Sequence, residues 1–340
     1  MKKILCTILC LVMVLSTIAL FGCQQPTGNN TETTPATTTE TLKFGFGLYV
    51  TTPSATNATE EKAGQGKVEI TAAAVTVDKD GKIVACVLDT AANTVKYTLD
   101  GKAVAEESFK TKKELGDAYN MVAYGGATQE WYKQVAAFET LVKGKTLAEV
   151  KALVVDGDKG TSDVQAAGCT ITINEFVLAI EKAYNSASAS NATASDVLTL
   201  GVNTEQTCKD ATEENDGSNQ VETTFVAAVL NAQGKVVAAL TDCVQVKFTF
   251  SKAGASTFDV NKELKSKKEL GANYNMVLYG GAAKEWFEQA AVFEAAVIGK
   301  AKADLASMMA EDNYGSADLK AAGCTILVNG FIKAAEKALG

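Results

Sequence analysis

The sequence predicts an α+β fold written twice, each copy an antiparallel sheet followed by packed helices. Three observations lead there: an internal repeat, a period of two in the apolar residues opening each copy, and a helical period closing it. Thr111–Lys145 and Ser266–Lys300 are identical at 22 of 35 positions, and the offset of 155 runs on without gaps to Thr170/Thr325. Upstream the offset is 153, where Ala58-Thr59-Glu60-Glu61 matches Ala211-Thr212-Glu213-Glu214 and Gly81-Lys82 matches Gly234-Lys235. Each copy is about the size of one ordinary domain. The expected domains are 42–185 and 197–340, joined by a small polar linker over 186–196.

Within the first copy, Val68–Asp89 alternates apolar and polar residues around a turn at Asp80-Gly81, the pattern of a strand hairpin. Thr94–Leu99 and, in the second copy, Gln245–Phe250 read as further strands. Trp131, Val135, Phe138 and Val142 then fall on one face of a helix, as do Trp286, Ala290, Phe293 and Val297. Both tryptophans therefore read as core. Gly144-Lys145 and Gly299-Lys300 should end those helices, glycine relieving the left-handed cap. Strands gathered first and helices later give α+β, not a wound parallel sheet.

The N-terminus stands apart. Lys2 and Lys3 precede an apolar run ending in Leu20-Phe21-Gly22-Cys23, followed by a polar, Thr-rich stretch. This is the layout of an export signal over 1–22, with Cys23 the lipidated first residue and 23–41 a flexible tether; an uncleaved anchor is the alternative, since the run is about long enough to span a bilayer. The expected location is the outer face of the cell membrane, held through the Cys23 lipid. Loss of Lys2 and Lys3 takes the net charge from −8 to −10. So acidic a chain is a poor partner for nucleic acid. It has no His, which removes the commonest metal ligand and general base, and excludes Ser-His-Asp and Cys-His hydrolases. No zinc spacing is present among the cysteines, though Cys208 and Cys243 could pair outside the cytoplasm.

Two stretches carry candidate chemistry. The hexapeptide AAGCTI occurs at Ala166–Ile171 and again at Ala321–Ile326, each after an acid (Asp163, Asp318) and before a helical tail. A threonine ahead of a helix is ordinarily a cap. The second stretch, Tyr119–Trp131 and Tyr274–Trp286, combines a Gly-Gly loop with aromatics. Tyr124 and Tyr279 could flank a flat ring, with Gly125-Gly126 and Gly280-Gly281 allowing close backbone approach. Lys112-Lys113 and Lys267-Lys268 read as solvated faces. Cys169 and Cys324 read as small buried apolar residues.

With this order of elements, DVQAAGCTITINEF and DLKAAGCTILVNGF resemble the flavin-attachment signature of FMN-binding domains. Such domains occur in a subunit of the sodium-pumping NADH:quinone oxidoreductase and in lipoproteins of Gram-positive extracellular electron transfer. The resemblance implies FMN, one per repeat, joined by its phosphate to Thr170 and Thr325 by a separate flavin transferase. Gly168 and Gly323 match the turn glycine, and Asp163 and Asp318 the leading acid. Ala167 and Ala322 stand where Ser or Thr is usual, and Cys169 and Cys324 where Ala or Ser is. The implied role is an electron carrier between a membrane donor and an external acceptor, more than a catalyst in its own right. A non-redox binding or structural lipoprotein is the alternative.

Overall fold

A computed structural model describes residues 40–340. The export signal, Cys23 and nearly all of the expected tether lie outside the described residues. The first repeat opens with strands β1 (Thr41–Thr56), β2 (Gly64–Val77) and β3 (Ile83–Tyr97), then the two-residue β4 (Ala103–Val104). Helices α1 (Lys112–Leu115), α2 (Met121–Gly125), α3 (Trp131–Leu141) and α4 (Leu147–Lys151) follow. A small ribbon, β5 (Val154–Val155) and β6 (Lys159–Gly160), leads to α5 (Ser162–Ala166) and α6 (Asn174–Ser186). Strand β7 (Ser188–Thr193) lies between the repeats, and the second repeat has β8 (Val197–Lys209), β9 (Gly217–Leu230) and β10 (Val236–Phe250). It closes with α7 (Lys267–Leu270), α8 (Met276–Gly280), α9 (Trp286–Val297), α10 (Ala317–Ala322) and α11 (Asn329–Ala338).

The α+β class holds, with antiparallel sheets ordered β4-β3-β2-β1-β7 and β10-β9-β8. The hairpin turn falls where the pattern put it, with Gly81 at φ 76° between β2 and β3. The expected strands at Thr94–Leu99 and Gln245–Phe250 are not separate; Thr94–Tyr97 and Gln245–Phe250 are the ends of β3 and β10, each 15 residues long, and Thr98 and Leu99 lie beyond β3. Polar 186–196 is not a free linker either. Its Ser188–Thr193 stretch is β7, which adds to the edge of the first repeat's sheet through Thr41↔Thr193 and Phe44↔Ser188. An unpaired edge strand has backbone groups to satisfy, and a small polar sequence can do this as well as an apolar one.

The repeats share an apolar core between their sheets. Phe44, Phe46, Val68, Ile70 and Ala72 of the first sheet pack with Val202, Val221, Phe225, Val229 and Phe248 of the second. The opposite face of each sheet carries its own repeat's helices: Val75, Ile83 and Leu88 against Trp131, Phe138 and Ile180, and Val226 and Cys243 against Trp286, Phe293 and Phe331. Central strands are thus covered on both sides, which explains why Thr71–Val77 is buried at every position. The two halves also exchange identical backbone bonds. Ala58 N–H donates to Gly254 O and Ala211 N–H to Gly101 O, both at 2.8 Å, as a two-fold relation between repeats requires.

Candidate functional site

The site in each repeat is the turn before the last long helix. Gly168 and Gly323 have φ of 102° and 105°, a region that only glycine enters freely, so the turn needs them where the sequence has them. The next residue, Cys169 or Cys324, is fully buried; burial pushes the Cys169 thiol up to about 11 and raises that of Cys324 too. Both are packing residues, held as unreactive thiols. Thr170 and Thr325 then turn outward and are exposed. Neither caps a helix, since the caps of α6 and α11 are Ile173 and Val328.

What holds each threonine is a buried glutamine that the sequence pattern did not single out. Gln134 and Gln289 sit on the core faces of α3 and α9, beside Trp131 and Trp286. Gln134 Oε1 accepts from both Thr170 N–H at 2.8 Å and Thr170 Oγ1 at 3.0 Å, and Gln289 does the same for Thr325 at the same distances. Each amide nitrogen donates to a backbone carbonyl, Gln129 O or Lys284 O, at 2.9 Å. A buried amide with both ends used has one orientation, so the hydroxyl has one too. A signal was available: a glutamine interrupting an otherwise apolar helix stripe, in both copies.

The Gly-Gly loops are pinned in the same paired fashion. Glu130 accepts from Met121 N–H at 2.9 Å and Val122 N–H at 3.2 Å; Glu285 accepts from Met276 and Val277 at 2.9 and 3.1 Å. Helices α2 and α8 are each bracketed by left-handed residues, Asn120 and Gly126, and Asn275 and Gly281. Gly125 and Gly280 are their last residues. The tyrosines on these loops point into solvent, with Tyr124 89% and Tyr279 83% exposed. Asp163 and Asp318 are exposed in the first turns of α5 and α10, where a negative charge suits the helix start.

The second repeat has a hollow of 430 Å³ against Thr325, walled by Met276, Gly280, Trp286, Tyr314 and Leu327, with Lys267 and Glu222 also lining it. That falls within the usual range of ligand clefts, about 300–1,000 Å³. Tyr279, Gly280 and Lys267 border a second hollow of 550 Å³ with Tyr274 and Met276. So Thr325 and Gly280 share one hollow, and Tyr279 belongs to the next. Lys267 is no solvated lysine. It is 4% exposed, bonds Glu222 Oε1 at 2.6 Å and lies 5.1 and 5.4 Å from the ring centres of Tyr274 and Trp286. Burial lowers its pKa, but Cys243, Glu222 and Tyr274 outweigh that and the net shift is upward. Lys112 repeats the arrangement over Tyr119 and Trp131, bonding Glu69 at 3.2 Å. Cys208 and Cys243 are both free; one is exposed and the other buried, so the pairing considered from sequence is not made.

Among the described residues there is no group of metal-ligating side chains, and no helix is long and apolar enough to cross a membrane. No family model and no solved structure matches the chain. Over 44 residues it is 48% identical to a protein named chlorophenol reductase from Desulfitobacterium hafniense. That stretch is 13% of this chain, and the chain spans only 14% of the relative's length.

Proposed function

We propose that the protein is a lipid-anchored, extracytoplasmic flavoprotein. It carries FMN on Thr170 and Thr325 and relays electrons from a membrane donor to an external acceptor or partner reductase. The observation that carries this reading is the pair of exposed threonines, each with its hydroxyl held by a buried glutamine. In the second repeat the hydroxyl stands beside a hollow with aromatic and aliphatic walls.

The residues fit the group in three respects. The hydroxyl is outside the core, where a modifying enzyme can reach it. The walls beside Thr325 offer the flat apolar contact an isoalloxazine needs, and Lys267 supplies a donor for its polar edge. The helix after each turn begins four residues on, at Asn174 or Asn329, and a helix start favours a phosphate. Bound FMN would supply the electron-transfer chemistry. The protein's own part is positional. Gln134 and Gln289 accept the hydroxyl proton's hydrogen bond but are not bases, so neither threonine is activated from within. Removal of that proton falls to the transferase. The name of the partial relative, a reductase, agrees with a redox setting but covers too little of either chain to add a substrate.

The test is the intact mass of the exported chain from cells that possess the transferase. Two FMN additions are expected, one lost with Thr170→Ala and the other with Thr325→Ala. A chain of unmodified mass, or flavin retained by the double variant, would overturn covalent attachment and leave a binding lipoprotein.

A further inference from the structure

The two repeats are not equal at this site, and the differences are concentrated where a ring would lie. Equivalent residues are Glu69/Glu222, Thr71/Thr224, Lys112/Lys267, Trp131/Trp286 and Thr170/Thr325. In the second repeat Glu222, Lys267, Trp286 and Thr325 line a single hollow. Gly330, on α11, lies so near Thr224 that a Cβ would come within 3.0 Å of its hydroxyl. The first repeat has Glu175 at that position. Its Oε2 accepts from Thr71 Oγ1 at 3.4 Å, and burial, with Glu69 beside it, raises its pKa against the opposing pull of Lys112. A carboxyl side chain thus stands among Thr71, Glu69 and Lys112; of their counterparts, Glu222 and Lys267 line the hollow of the second repeat.

The mouth differs in the same sense. Tyr314 and Leu327, which line the hollow of the second repeat, are 38% and 53% exposed. The first repeat has Lys159 and Thr172 at those places. Apolar side chains left in water around a hollow mark a binding mouth, whereas singly scattered ones need no explanation. Burying a carboxylate against an apolar ring is costly, and a lysine and a threonine at the mouth offer a ring nothing in return.

We infer that only the second repeat encloses a flat, uncharged heteroaromatic ring of the isoalloxazine class. At the first repeat Glu175 takes the equivalent space, and a ring attached to Thr170 stays at the surface. The first flavin then exchanges electrons with partners, and the second is shielded. This rests on the flavin reading above for the identity of the ring, but not on covalent attachment.

The experiment uses lumiflavin, the ring without ribityl phosphate, titrated by its fluorescence into the full-length chain made without a flavin transferase. One equivalent is expected to bind. Gly330→Glu should abolish binding, and Glu175→Gly should add a second equivalent at least tenfold weaker than the first, because Lys159 and Thr172 remain at its mouth. Because Gly330→Glu crowds Thr224, a second variant changes only exposed positions. Tyr314→Lys with Leu327→Thr, the residues the first repeat already carries, should weaken binding at least tenfold with an unchanged melting temperature. Two equivalents in the unaltered chain, none, or one that ignores these substitutions would each overturn the inference. The mass of the exported chain reads the attachment independently. FMN on the chain without single-equivalent ring binding sinks this inference alone, while ring binding without FMN sinks only the attachment.

Discussion

Tyr97 and Phe250 occupy the same position in the two repeats and stack on one another, ring centres 4.4 Å apart and planes 5° from parallel. Two equivalent residues touch each other only at a two-fold axis, so this pair marks where the halves meet. Elsewhere the halves trade matching ion pairs, Lys182 with Glu269 at 2.5 Å and Lys337 with Glu114 at 2.7 Å. The chain is built as a self-complementary dimer whose halves are covalently joined.

That geometry predicts how a single repeat behaves. Residues 197–340 alone would expose Val221, Phe225, Val229 and Phe248, all of the shared core. Sedimentation of this fragment should show a homodimer or an aggregate. A monomer that unfolds cooperatively would contradict the shared core. The exposed ion pairs contribute little, and Glu269→Gln should change stability by less than about 1 kcal/mol.

Gly201 predicts the cost of losing a close approach. A Cβ there would run into the backbone oxygen of Ala334, because α11 lies directly on β8 at this point. Gly201→Ala should destabilise the protein by about 1–3 kcal/mol, measured by denaturant unfolding.

Gln289 predicts a coupling between fold and modification. Gln289→Leu removes the acceptor for Thr325 N–H and Oγ1 and should cost about 1–3 kcal/mol. It should also lower FMN addition at Thr325 without affecting Thr170, as read from the mass of the exported chain. Equal loss at both threonines would mean a general folding defect instead.

Asp89 and Asp242 predict a pH effect. Burial raises each to about 6 from 3.8, against hydrogen bonds from Thr111 and Lys113 N–H, or Ser266 and Lys268 N–H, that pull downward. A raised carboxyl holds its proton in the folded state after the unfolded chain has lost it. The associated stability is therefore full below about pH 4 and lost as pH rises through 6. Its size is on the order of 3 kcal/mol per site at most. Unfolding curves at pH 4 and pH 7 should show this difference shrinking in Asp89→Asn with Asp242→Asn. A pH dependence untouched by the double variant would contradict it.

Legible in the chain's own pattern were the duplication, the α+β order, the hairpin turn at Gly81 and the core roles of Trp131 and Trp286. All of these rest on local rules: side-chain period, and a backbone angle that only glycine accepts. Only the packing of distant segments decided that β7 is a strand, that the two sheets face each other, that Lys267 is buried, that Thr170 and Thr325 stand exposed, and that Glu175 reaches Thr71 where Gly330 carries no side chain. None of those is local. Each depends on which surface another part of the chain brings up against it, and the same lysine or glutamate is soluble decoration or interior wall according to what lies opposite.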